Sequence, residues 1–347
     1  MPTIKEVAKK AKVSVGTVSN VLSGSVPVSP AVRERVLKMI ELMDYHPDHF
    51  ARSLKTRQSH MLGMVIPDIT NPFFPELVRG AEDAAMKRSY LLVTFNTDDQ
   101  VDREKRVLSL LRTRRTDGVL LVMAPNQGQF GHIERIIGSG VPIVAVDRAP
   151  VLGISSVAVD NIMGAEMCVR HLISVGHRRI AVVAGSHHLQ NAAERLQGYE
   201  NALREARLPI DRELILEGDF RLASGYLLTK QIWLSANKPT AIFVCNSMMG
   251  LGALKALKEM GVLCPEDVAL AVFDEVPGNG SFYPEITTVV QPAYEIGYKA
   301  AELLIKQITS GPVAAVNIRL QPELRIREST LPPSRGFRRQ DSGAESE

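Results

Sequence analysis

TIKEVAKKAKVSVGTVSNVLSG, residues 3–24, decides how the rest of the chain is read. Thr3-Ile4-Lys5-Glu6 has the form of a capping box, which predicts a helix starting at Ile4. Val7, Ala8 and Ala11 give that helix one apolar stripe. Lys12-Val13-Ser14 makes a tight turn. Ser14 is placed to cap a second helix, on which Val15, Val18, Val21 and Leu22 recur up to a break at Gly24-Ser25. Two short helices facing each other across such a turn form a helix-turn-helix, whose second helix lies in a major groove with its N-terminal side chains at base edges. The candidate DNA contacts are therefore Thr3, Ser14, Val15, Gly16, Thr17 and Asn20. Asn20 is the best base reader, because its amide donates and accepts at once on an adenine edge. Val15 or the Thr17 methyl suits a thymine methyl, and Gly16 permits close backbone approach. A small three-helix structural domain that binds no nucleic acid fits the same pattern.

Outward from this run, Ser29-Pro30 opens a third helix with proline at its first position, and Val32, Val36, Ile40 and Met43 follow at helical spacing. The predicted head is 1–46. Residues 1–60 hold 10 Lys+Arg against 5 Asp+Glu, whereas the remainder holds 31 against 33. A basic end on a near-neutral body points to a polyanion-binding module. Residues 47–59 read as a basic hinge helix and linker, marginal on its own in water. From Met61 apolar strand-like runs alternate with helix-like runs, which predicts parallel sheets in α/β layers, long enough for two subdomains. The fold class expected is an all-α helix-turn-helix head followed by a two-subdomain α/β core over 60–330. The N-subdomain spans about 60–160 plus 291–321, and the C-subdomain about 161–290 plus 322–330. Residues 331–347 are a polar tail expected to be disordered.

The run at 3–24 together with VRERVLKMIELMDYHPDHFARSLKTRQSHMLGMVIPDITNPFF resembles the start of the lactose/galactose repressor family. The resemblance is dense over 3–75 and sparser to about 330, through blocks such as HLISVGHRRIAVVAG and TTVVQPAYEIGYKAAELL. It implies a periplasmic-binding-protein-like core and a hinge helix that enters the minor groove. Leu54 would then wedge between base pairs, with Arg52 and Lys55 at the backbone or groove edge. Such a wedge unstacks one step, and the resulting kink is offset by extra contacts. A plain core contact is the other reading of Leu54.

In a core of this kind the ligand sits at the carboxyl ends of the strands. Strand-end residues therefore form the candidate effector set: Asn71, Phe73, Phe74, Asp147, Arg148, Asp160, Arg195, Phe220, Asn246, Asp274 and Gln291. The phenylalanines offer flat apolar faces for the C–H side of a sugar ring, and the polar groups pair buried hydroxyls. The mix resembles pentose and hexose pockets on this core, with ribose as first guess. Arg148, where a Trp would stack a purine, argues against a base. Asp147 and Asp274 balance Arg148 and Arg195, leaving no positive surplus for a phosphate. Asp160 and Asn161 also read as a helix cap, Arg195 as a surface arginine, and Phe73 and Phe74 as core. Where the family often has an acidic residue after the strand-end asparagine, this chain has Ser247.

Other function classes lack their signatures. No strand is followed by Gly-x-Gly-x-x-Gly, and no Walker A or His-Glu-x-x-His run occurs, so catalysis is not expected. His187-His188 looks like a zinc pair, but neighbours on a regular element point apart and no third ligand has recognisable spacing. Three well-separated cysteines suit a reducing cytoplasm rather than a disulfide framework. The start of the chain shows no apolar stretch of a signal peptide, which disfavours an exported sugar-binding protein. No cofactor, metal or membrane is expected. The partners expected are double-stranded operator DNA, a small monosaccharide effector and a second copy of the chain, in a cytoplasmic, nucleoid-associated bacterial repressor.

Overall fold

Capping sets the first helix. The Glu6 amide donates to the Thr3 hydroxyl, and the Thr3 amide donates to the Glu6 carboxylate at 2.7 Å, so α1 spans Ile4–Ala11. Lys12 closes it in a left-handed conformation. In α2 (Val15–Ser23) the Thr17 amide donates to Ser14 Oγ at 3.0 Å, and the helix stops at Gly24, φ 66°. α3 (Pro30–Leu42) opens on its proline, and Ser29 makes no side-chain capping bond. Val7, Ala8, Ala11, Val18, Val21 and Val36 form the core of the head, with Val32, Ile40 and Met43 packed around it. The computed structural model describes residues 2–24, 26–45, 59–113, 116–125, 128–148, 153–281, 284–311 and 314–331. The hinge reading, with Arg52, Leu54 and Lys55, and the tail beyond Leu331 lie outside the described residues.

Residues 60 onward form a second unit built on two six-stranded sheets of matching order. The first holds β1 (Met61–Ile66), β2 (Leu91–Asn96), β3 (Gly118–Leu121), β4 (Ile143–Val146), β5 (Ser155–Val159) and β11 (Asn317–Leu320), ordered β11-β5-β4-β3-β1-β2. The second holds β6 (Ile180–Ala184), β7 (Ile215–Glu217), β8 (Ala241–Val244), β9 (Ala269–Phe273), β10 (Thr287–Val290) and β12 (Glu323–Arg325), ordered β12-β10-β9-β8-β6-β7. Every pairing is parallel except β10 with β12. Strands β3, β4, β5, β6, β8 and β9 are buried at every position. That is why they read as continuous apolar runs: helices cover both faces.

Helices α4 (Phe73–Met86), α5 (Val101–Thr113), α6 (Gly131–Gly138) and α11 (Ala293–Ser310) cover the first sheet. The second carries α7 (Asn161–Ser174), α8 (Gln190–Glu205), α9 (Leu222–Leu234) and α10 (Ser247–Glu259). The sequence pattern did not announce α9. Leu222, Leu227 and Leu234 are all exposed on it, so its apolar residues do not gather into one stripe. The chain crosses between lobes three times, at 159–161, 290–293 and 320–323. The first and third crossings are tied by the Asp160 amide donating to the Leu320 carbonyl at 2.8 Å. Strand order reverses between β1 and β3 in one lobe and between β6 and β8 in the other, and such switch points open a crevice at the strand ends.

Candidate functional site

In the head, Val15 and Gly16 are exposed at the start of α2, and Asn20 is half-buried one turn on. Ser14 and Thr17 bond each other through their hydroxyls at 2.9 Å. Thr3 is exposed at its cap. Five of the six candidates thus sit at the N-terminal ends of α1 and α2, and Asn20 lies further along α2.

In the second unit, a cleft of about 410 Å³ opens at the carboxyl ends of the strands. It is lined by Asn71, Phe73, Phe74, Asp147, Arg148, Arg195, Phe220, Asn246, Asp274 and Gln291, by Asp68 just past the end of β1, and by residues not foreseen, among them Asp99, Asn191 and Arg221. Backbone conformation aims several of these. Asp147 after β4 (φ 62°), Asp274 after β9 (φ 74°) and Phe220 (φ 65°) are all left-handed, turning side chains off the strand line. The Phe220 ring lies over Gly185, where a Cβ would come within 2.3 Å of it. The Asn71 side chain accepts from the Phe73 amide at 3.2 Å, starting α4 so that Phe73 and Phe74 sit edge to face at 5.1 Å.

The polar groups are deeply buried, Arg195 at 2% exposure and Asp147 at 4%. Arg148 donates to Asp99 at 2.5 Å and to the Met123 carbonyl at 2.7 Å. Burial works against its charge, but Asp99, with Asp147 and Glu104, outweighs that and raises its pKa. Asn191 reaches across from α8 and donates to Asp147 at 2.9 Å. Burial pushes the Asp147 carboxyl up to about 6, against the pull of Arg195 and Arg148. Burial likewise raises Asp274, opposed by Arg195 and by Gln291, which donates to it at 2.5 Å. The Arg195 guanidinium lies 3.8 Å from the Phe273 ring centre and donates to the Cys245 carbonyl at 2.6 Å. Asn246 donates to the Phe220 carbonyl and accepts from the Met249 amide, so it both lines the cleft and caps α10.

Three expectations need correction. Asp160 does not line the cleft; its carboxylate accepts from the Met163 amide at 2.9 Å and caps α7. The charge balance is not even. Asp68, Asp98, Asp99, Asp147, Asp219 and Asp274 face only Arg148, Arg195 and Arg221, because the loops after β2 and β7 add carboxylates that strand ends alone did not reveal. The rings of His187 and His188 are only 3.9 Å apart, in a turn rather than on a regular element. Even so, no group of three or more metal-ligating side chains occurs among the described residues. Ser247 begins α10, buried, its hydroxyl without a hydrogen-bond partner among the described residues.

Residues 3–48 match the family model for bacterial regulatory proteins of the lacI family, and residues 169–330 match that for the periplasmic binding protein-like domain. The ribose operon repressor of Halalkalibacterium halodurans is 35% identical over 330 residues, 95% of this chain and 97% of the relative. The chain belongs to the LacI family. This LacI-family member is a DNA-binding transcriptional regulator, and its relatives are repressors rather than enzymes. A lac repressor dimer bound to operator and the anti-inducer ONPF is 25% identical with a TM-score of 0.85, covering 95% of this regulator and 99% of that chain. A LacI-family regulator from Enterococcus faecium with bound ribose is 28% identical with a TM-score of 0.70, covering 79% and 100%. No helix among the described residues of the LacI-family chain is long and apolar enough to cross a membrane.

Proposed function

We propose that the cleft binds a small neutral polyol, a monosaccharide with ribose as first candidate, and that the chain is a repressor that leaves its operator when the sugar binds. One observation carries the ligand class. Asp147 Oδ1, Arg148 Nε and Gln291 Oε1 are buried atoms of cleft residues with no hydrogen bond among the described residues. Buried polar atoms require partners. A ligand with hydroxyls supplies them, donating to the two oxygens and accepting from Nε. Phe73, Phe74 and Phe220 offer faces to its C–H groups. The excess of aspartates over arginines opposes a phosphate, which favours uncompensated basic groups.

The DNA arm follows from the head. Two copies of the chain place their α2 helices in successive major grooves of a near-palindromic operator, with Thr3, Ser14, Val15, Gly16, Thr17 and Asn20 at the DNA. Paired hinge segments then enter the minor groove, Leu54 as the wedge, Arg52 and Lys55 beside it. The sugar favours one angle between the lobes and thereby biases the hinges, a difference in effector affinity between two states. On this reading the protein acts on DNA in the cytoplasm.

Calorimetry with ribose, ribose 5-phosphate and adenine tests the ligand. Ribose is expected to bind, and Asp274→Asn to weaken it by about 1.5–3 kcal/mol, as for a hydrogen bond to a charged group. Tight binding of the phosphate or the purine with no response to free sugars would overturn the ligand class. A mobility-shift assay with and without ribose tests release.

A further inference from the structure

Glu194 precedes Arg195 on α8 and does not line the cleft. Its carboxylate nonetheless collects four hydrogen bonds. Arg319 donates through Nη2 at 2.7 Å and Nη1 at 2.9 Å, Gln190 at 2.9 Å, and Asn161 at 3.0 Å. Its side chain is 14% exposed. Burial works to raise its pKa, and the bonds from Arg319, Asn161 and Gln190 overcome this and lower it.

The chemistry of Asn161 makes this cluster directional. Asn161 is fully buried at the start of α7. A carboxylate accepts only, so the amide must present its NH₂ to Glu194. Its carbonyl oxygen then faces the other way and accepts from Arg195 Nε at 2.9 Å. If the amide flipped, NH₂ would meet N–H, and Arg195 would lose its bond. The far end of the chain of bonds is in the other lobe. Arg319 lies on β11 of the first sheet, and its Nη1 also donates to the carbonyl of Val159, the last residue of β5, at 3.2 Å.

We propose that Glu194 is a positioning residue for ligand binding: it orients the Asn161 amide, which fixes the Arg195 guanidinium, and Arg319 ties this arrangement to the first lobe. The orientation of a ligand-facing arginine is thereby linked to the angle between the lobes. Outer partners of this kind hold the groups that touch ligand in productive geometry. The affinity arm of the test rests on the sugar-binding reading above; the spectroscopic arm does not.

The test uses the full-length protein as wild type, Glu194→Gln, Arg319→Met, Arg319→Lys and the Gln/Met double variant. With ¹⁵Nε-labelled arginine, the Arg195 Nε–H signal, identified by its loss in Arg195→Lys, is expected to exchange at least about tenfold faster in Glu194→Gln and Arg319→Met, with partial recovery in Arg319→Lys. Ribose affinity is expected to fall about tenfold in each single variant, and no further in the double variant. An unchanged Arg195 signal in both single variants overturns the proposal, as do additive losses. If Glu194→Gln does not fold, Arg319→Met and Arg319→Lys decide alone. If the wild type takes up no ribose, the ligand reading fails while the exchange measurement still decides the positioning role.

Discussion

Asp147 and Asp274 occupy equivalent places in the two lobes. Each follows the fourth strand of its sheet, each is left-handed, and each amide donates to the neighbouring strand, Asp147 to Val157 at 3.0 Å and Asp274 to Val289 at 2.8 Å. The two carboxylates thus enter one cleft from opposite sides. Both are lifted by burial, so the cleft carries charges that destabilise the folded protein when ionised.

That cost predicts a stability effect with a definite sign. The gap between 3.8 and about 6 for Asp147 corresponds to about 3 kcal/mol of unfavourable ionisation in the folded state. Because the folded pKa is the higher, this part of the stability is present below pH 3.8 and is lost as pH rises through 6. Asp147→Asn is expected to raise the Tm of the ligand-free protein at pH 7.5 and to keep only about half of that advantage at pH 5, while weakening ribose binding. Melting curves at the two pH values check it; a gain as large at pH 5 as at pH 7.5 contradicts the assignment.

Gly185→Ala tests the seat of Phe220. The new Cβ would lie 2.3 Å from the ring, which must then shift. Overpacking of this kind costs about 1–3 kcal/mol. Sugar affinity should fall with operator binding of the ligand-free protein retained. Equal affinity in the variant would show that the ring does not meet the ligand.

In the head, Asn20→Ala should cost roughly 1–3 kcal/mol at one base position per half-site and relax specificity there. Affinity of the wild type should fall with salt at a logarithmic slope of about −0.9 per neutralised phosphate. Operator variants measured by fluorescence anisotropy give both numbers, and a preference unchanged at every position removes Asn20 from the reading set.

Leu54→Ala addresses the hinge. An alanine methyl is too short to hold open an unstacked step, so operator affinity and the DNA bend should both drop while ribose binding stays intact. Fluorescence energy transfer across a doubly labelled operator reports the bend, and an unaltered angle would sink the wedge.

Most of the cleft candidates were legible because a parallel sheet concentrates ligand contacts at its strand ends, and apolar runs such as ALAVF mark where strands stop; Arg195 reaches the cleft from within α8 instead. Asp160 sits at such an end too, but its carboxylate points back to the Met163 amide, and sequence alone carries both outcomes. Asp99 and Asn191 were missed for a different reason. They come from loops and helix starts whose direction depends on turn geometry, such as φ 58° at Asp99. α9 was missed because leucines on more than one face erase the helical period. Glu194 left no signal at all, since its partners Asn161 and Arg319 are 33 and 125 residues away.

Two bodies joined by one flexible strand retain three rotational freedoms. The lobes here share three crossings, and the backbone bond from Asp160 to Leu320 locks two of them side by side. Three tethers, two of them held at one spacing, leave fewer relative rotations than a single linker would. Free energy contributed by a ligand would then be distributed over few mechanical coordinates rather than many.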